Sequence, residues 1–143
     1  INVYGDGERK AELKNTILSE GVENILILKG EKNINEIDHI FNESLATIIC
    51  SKHEAGPTVL VESLACGTPV ISNDIGEVRS VLDAGGLGFL VEKDTESYLS
   101  AMSAVLEGYK FSKKNADILI KSRSSKFISN QYMKIFRSVL VSK

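Results

Sequence analysis

Glu54 and Glu62 bracket the start of an apolar segment that runs to Cys66 and halts at Gly67. Gly56-Pro57 is a turn signal and Thr58 a good N-cap, so the spacing predicts a helix over 58–66. The free N–H groups and the dipole at such an N-terminus attract an anion such as phosphate. Glu62 then lies about 6 Å up the axis, at 1.5 Å per residue, and Glu54 sits in the loop just ahead. Carboxylates in contact with a phosphate would repel it, so their use beside one is to accept hydrogen bonds from hydroxyl groups. A phosphate flanked by polyols is a sugar nucleotide, with ribose on one side of the diphosphate and the transferred sugar on the other. Taken singly, each acid reads as a solvated loop or helix-face residue; their joint position reverses that reading.

Other candidate chemistry is weaker. Gly5-Asp6-Gly7 suits a tight strand-to-helix turn as well as a ligand-facing loop. A dinucleotide fingerprint needs a third glycine where Lys10 stands, which argues against an NAD site. Cys50 and Cys66 lie in apolar segments without paired Cys/His spacing and read as reduced core thiols. His39 and His53 are too few and too scattered for a metal, and none is expected.

These groups need a scaffold, and the apolar pattern supplies one. Residues 1–4, 24–28, 45–50, 69–72 and 89–91 read as strands, rich in Ile, Val and Leu and suited to burial on both faces. Between them, residues 8–19, 35–42, 58–66 and 78–82 carry helical periodicity. The alternation predicts an α/β, doubly wound parallel sheet, whose ligands sit beyond the carboxyl ends of the strands. Residues 95–106, 111–121 and 124–141 then read as three terminal helices, with Thr95 as an N-cap and Gly108 as a stop.

The 143 residues are 43% hydrophobic and 25% charged, which is near the globular average and argues against disorder or a disulfide scaffold. No apolar run has the length of a bilayer span and no signal-peptide pattern opens the chain, so a cytoplasmic location is expected. The net charge of −2 conceals an asymmetry: residues 1–107 hold 8 Lys/Arg against 18 Asp/Glu, and residues 108–143 hold 9 against Asp117 alone. The basic tail reads as an exposed helical face, its apolar stripe packing mostly on the domain's own sheet. The sharper alternative is peripheral attraction to an acidic partner or to the inner face of a membrane. Nucleic acid is a poor partner, because the tail has few aromatics outside that stripe. The chain opens without Met, inside an apolar run, and reads as a fragment.

Glu54-x7-Glu62, preceded by Ser51 and followed by Ser63-Leu64-Ala65-Cys66-Gly67-Thr68-Pro69-Val70-Ile71-Ser72, resembles the signature of retaining GT-B glycosyltransferases of family 4. The likeness extends to Gly5-Asp6-Gly7-Glu8-Arg9 with Leu13, to Gly30, to Gly76 and to Gly88-Phe89-Leu90-Val91, covering residues 1–107 in order. It implies a Rossmann-like nucleotide-sugar-binding domain over 1–107, with helices over 108–143 packed on it, and an N-terminal acceptor domain that this chain lacks.

The resemblance further implies that Glu62 binds ribose hydroxyls and that Glu54, the candidate catalytic residue, contacts the donor sugar. Backbone N–H groups from Gly56 through Thr58 and Val59 would hold the diphosphate, while Ser51, Gly5 and Gly30 complete the donor-binding set. The expected whole protein moves a sugar, with retention, from a nucleotide-sugar to a glycan or glycolipid in polysaccharide biosynthesis. A UDP-sugar is favoured, and no cofactor or metal is called for. Pro57 departs from the family pattern by lacking an N–H. The family's Arg and Lys that face the donor phosphates belong ahead of this chain's first strand, so the chain alone is expected to be inactive. The rival reading is a non-catalytic nucleotide-sugar-binding or interaction domain.

Overall fold

The computed structural model describes residues 1–141, and the chain divides into two compact units, Ile1–Ile37 and Asp38–Lys143. The first holds β1 (Asn2–Tyr4), α1 (Lys10–Ser19) and β2 (Ile27–Gly30), with the strands parallel and Asn2 opposite Ile27. Helix α1 is made of good helix formers and buries Ile17. It ends in a left-handed Gly21, where Gly21 N–H donates to Leu18 O and Val22 N–H to Ile17 O, the two bonds of a Schellman stop. Val22 O then accepts from both Ile25 and Leu26 at 2.9 Å, so these residues turn and the strand starts later than the apolar run beginning at 24 suggests. Helix α2 (Ile34–Asn42) carries the boundary between the units.

The second unit contains β3 (Thr47–Ile49), α3 (Thr58–Ala65), β4 (Val70–Asn73), α4 (Val78–Leu82), β5 (Gly88–Val91), α5 (Thr95–Leu106), α6 (Lys113–Arg123) and α7 (Ser125–Val141). Its strands are parallel in the order β3-β4-β5. The expected alternation of parallel strands and helices is therefore present, with the strands hydrogen-bonded in a pair and a trio. All four residues of the central β4 are buried, and Leu60, Leu64, Val78, Val81 and Leu87 close round it at 0–1% exposure. Gly88 has φ +149°, and a Cβ there would lie 1.9 Å from Val70 O, so β5 approaches β4 only because this residue has no side chain.

Several local expectations are corrected. Asp94, not Thr95, caps α5, accepting from Ser97 N at 2.8 Å; these bonds hold its carboxyl below the usual range. Pro57 occupies the N-cap position of α3 in extended geometry, and Thr58 is the first helical residue without a capping bond. Helix α6 begins after Ser112, whose N–H is bound at 2.6 Å by Gly86 O, while Phe111 packs on the core. Cys50 is exposed, since its strand has already ended at Ile49. The apolar stripe of α7 does not pack on a sheet: Tyr132, Ile135, Phe136 and Val139 are all more than half exposed. Helix α6 takes the packing place instead, burying Ala116 with Leu119 and Ile120 against the core.

Candidate functional site

The loops after β3 and β4 together line an open hollow of about 600 Å³, formed by Lys52, His53, Glu54, Ala55, Asp74, Ile75 and Gly76. Both loops leave the carboxyl edge of the parallel trio, where an α/β sheet presents its ligand. Their proximity is enforced at Gly76, whose φ is +51°. A Cβ there would stand 2.6 Å from Ala55 O and 2.7 Å from Glu54 O. The Glu54 loop therefore rests on a bare backbone.

Below the loops a polar clamp joins the strand ends. The Tyr98 hydroxyl, from α5, accepts from Asn73 N at 3.2 Å and stands 3.0 Å from both Ile49 O and Asn73 Oδ1. Asn73 Nδ2 reaches Ser51 O at 3.4 Å. Asn73 is buried, and burial pushes the Tyr98 hydroxyl pKa up, so it stays a neutral donor and acceptor. Ser51 is thus drawn into the site's support through its carbonyl. Helix α3 is fixed separately: its buried Ser63 hydroxyl donates to Thr68 O at 2.9 Å and accepts from the Thr47 hydroxyl, whose Oγ1 stands 2.8 Å away.

The acids fall into two kinds. On the β4 side, Asp74 is paired with Arg79 at 2.8 Å and Glu77 with Arg123 at 2.7 Å. Glu54 and Glu62 are exposed and, among the described residues, make no side-chain hydrogen bond or ion pair. Glu62 sits in the second turn of α3, and Gly56, Thr58 and Val59 surround that helix's uncapped start. In the first unit, Gly5 and Gly30 are joined by a 2.9 Å hydrogen bond from Gly5 N to Gly30 O. Gly5 also borders a separate hollow of about 450 Å³ with Asp6, Gly7 and Arg9. There Lys10 and the Gly7 N–H hold the Asp6 carboxyl below its ordinary pKa. Among the described residues, no group of three or more His, Cys, Asp or Glu is placed to hold a metal ion, and no helix is long and apolar enough to cross a membrane.

Sequence reasoning missed Lys52, His53, Asp74, Asn73, Tyr98 and Arg123. Asn73 offered one signal, a polar residue closing a strand that opens with Val70 and Ile71. Tyr98 and Arg123 offered none, because they reach this region from α5 and α6, far along the chain.

The profile of the family described as Glycosyl transferases group 1 matches residues 1–123. The chain belongs to this family. This group 1 chain is 27% identical over 99 residues to an uncharacterised glycosyltransferase of Methanocaldococcus jannaschii, covering 69% of the present chain and 28% of that relative. Sucrose-phosphate synthase from Thermosynechococcus elongatus has a similar structure, with a TM-score of 0.82 at 18% identity over 99% of this chain and 39% of that one. The pneumococcal O-GlcNAc transferase GtfA, in complex with UDP and GlcNAc, gives a TM-score of 0.77 at 18% identity, over 97% of this chain and 29% of that one. The fold is the α/β arrangement of the C-terminal half of GT-B glycosyltransferases. The chain spans well under half the length of each of these proteins.

Proposed function

We propose that residues 1–107 are the nucleotide-sugar donor-binding part of a retaining glycosyltransferase. The observation that carries this reading is the segregation of the acids: Asp74 and Glu77 are neutralised by arginines, while Glu54 and Glu62 are left open beside an uncapped helix start. In this reading the N–H groups around Gly56, Thr58 and Val59 receive the diphosphate. Glu62 accepts from ribose hydroxyls, and Glu54, on the hollow, faces the transferred sugar. Ser51 lies toward the nucleoside; Gly5 and Gly30 are assigned donor contact on the family resemblance alone. The donor is a UDP-sugar, in keeping with the UDP held by the structural relative GtfA, and no metal is needed. Catalysis rests on positioning and on electrostatic stabilisation of the leaving diphosphate.

The acceptor is a glycan or glycolipid, supplied to the site by an N-terminal GT-B domain. Residues 108–141 brace the donor domain through α6, while α7, which exposes its apolar stripe and carries Lys126, Lys134 and Arg137 without an acidic residue, makes peripheral contact with anionic membrane. Titration of the labelled intact protein with UDP and UDP-sugars tests the site. Resonance shifts centred on residues 51–62 are expected, and shifts confined elsewhere would overturn the assignment. Salt-sensitive co-sedimentation with anionic vesicles tests the α7 contact, and absence of binding at low salt would refute it.

A further inference from the structure

The Glu77 carboxylate is out of place in a donor site. Its Oε1 would lie 3.0 Å from a Cβ on Gly56, so it rests against the turn two residues before α3 begins. A free carboxylate there would repel any anion bound at that helix start. Arg123, at the end of α6, meets it with Nη1 at 2.7 Å from each carboxylate oxygen, and both side chains are about one-third exposed. The pair is therefore partly shielded from solvent and salt, unlike the ordinary surface ion pair. Arg123 lies 46 residues along the chain from Glu77, and its guanidinium is held at the carboxylate, so it serves the anion site by cancelling a charge.

We infer that Arg123 is a positioning residue for donor binding, neutralising Glu77 so that the turn at Gly56 can accept a diphosphate. This rests on the proposed donor site. Two models differ in sign. If the pair is only a latch that anchors α6, loosening it from either side weakens binding. If charge cancellation is its role, the two partners act in opposite directions: losing Arg123 uncovers a negative charge, while losing the charge on Glu77 removes one. Gln at 77 keeps an acceptor for Arg123 but not the charge, so the double change decides: a latch leaves it no better than Arg123→Gln alone, whereas charge cancellation restores binding.

Calorimetry on the intact protein with UDP and with uridine separates the cases. Arg123→Gln should weaken UDP binding about tenfold and leave uridine unchanged. Glu77→Gln should bind UDP at least as tightly as the parent, and adding it to Arg123→Gln should restore UDP affinity to within about threefold. Weaker UDP binding by Glu77→Gln alone, or equal losses for UDP and uridine in Arg123→Gln, would overturn the inference; the first result is readable even if Arg123→Gln does not fold. A parent protein that binds neither ligand would instead overturn the donor-site reading, and this inference with it.

Discussion

Replacing Tyr98 by Phe tests whether the clamp under the two site loops carries weight. The substitution removes one oxygen and leaves the ring, so no cavity opens and the effect is purely polar. The hydroxyl has one hydrogen, which it can give to Ile49 O or to Asn73 Oδ1 but not to both, and it accepts from Asn73 N at 3.2 Å. Without it the Asn73 N–H, on a buried residue, loses the acceptor found for it. An unsatisfied buried donor costs about 1–3 kcal/mol. The loss falls where β3 and β4 give way to their loops. Because the chain contains two compact units, a single unfolding midpoint is a poor readout, and native-state amide exchange is the suitable assay. The Asn73 amide should exchange about 5- to 150-fold faster in Tyr98→Phe, while the Val70 amide, bonded to Leu87 O at 3.1 Å, should be protected nearly as before. UDP affinity should fall in step, because the clamp also holds Ser51 O through Asn73 Nδ2. Unchanged exchange at Asn73 would refute the reasoning.

Other expectations can be checked alongside. Glu62→Gln should weaken donor binding by about 1.5–3 kcal/mol through lost charge-assisted bonds, and Glu54→Gln should lower kcat more than it raises KM; parental kinetics from both folded variants would reject their assignment. Gly88→Ala should prevent folding, because its Cβ would sit 1.9 Å from Val70 O, whereas Gly67→Ala, also at positive φ but in open space, should cost only about 1–2 kcal/mol and yield soluble protein. Thiol alkylation followed by mass spectrometry should modify exposed Cys50 well before Cys66. Burial, then the charges of Asp38 and Glu62, push the Cys66 thiol pKa up and disfavour its thiolate. Accordingly, folded Cys66→Ser protein should retain catalysis.

Much of the scaffold was open to sequence reasoning because the strands are short and rich in Ile, Val and Leu between helices of clear period; the expected burial on both faces holds throughout only for β4, while β1 and β2 keep exposed residues. Glu54 and Glu62 were visible because one precedes and the other lies within a helix whose start is marked by Gly56-Pro57 and whose end is marked by Gly67. The errors fell where a local signal met a competing one. Thr58 and Thr95 are both good caps, but the preceding Pro57 and Asp94 hold the capping geometry. The α7 stripe has the period of a packed helix, and periodicity says only that a face is apolar, not what covers it.

Tertiary structure alone decided which acids stand free. Asp74, Glu77, Glu54 and Glu62 are alike as letters, and only folding brings Arg79 and Arg123 to two of them. The same holds for the Tyr98 clamp and for the contact of Gly76 with the Glu54 loop, each made between elements distant in the chain. Sequence fixes period, turn and charge over a few neighbouring residues, because those depend on local backbone geometry. The partner of a side chain is a long-range property, set once the sheet has formed and its loops share one edge.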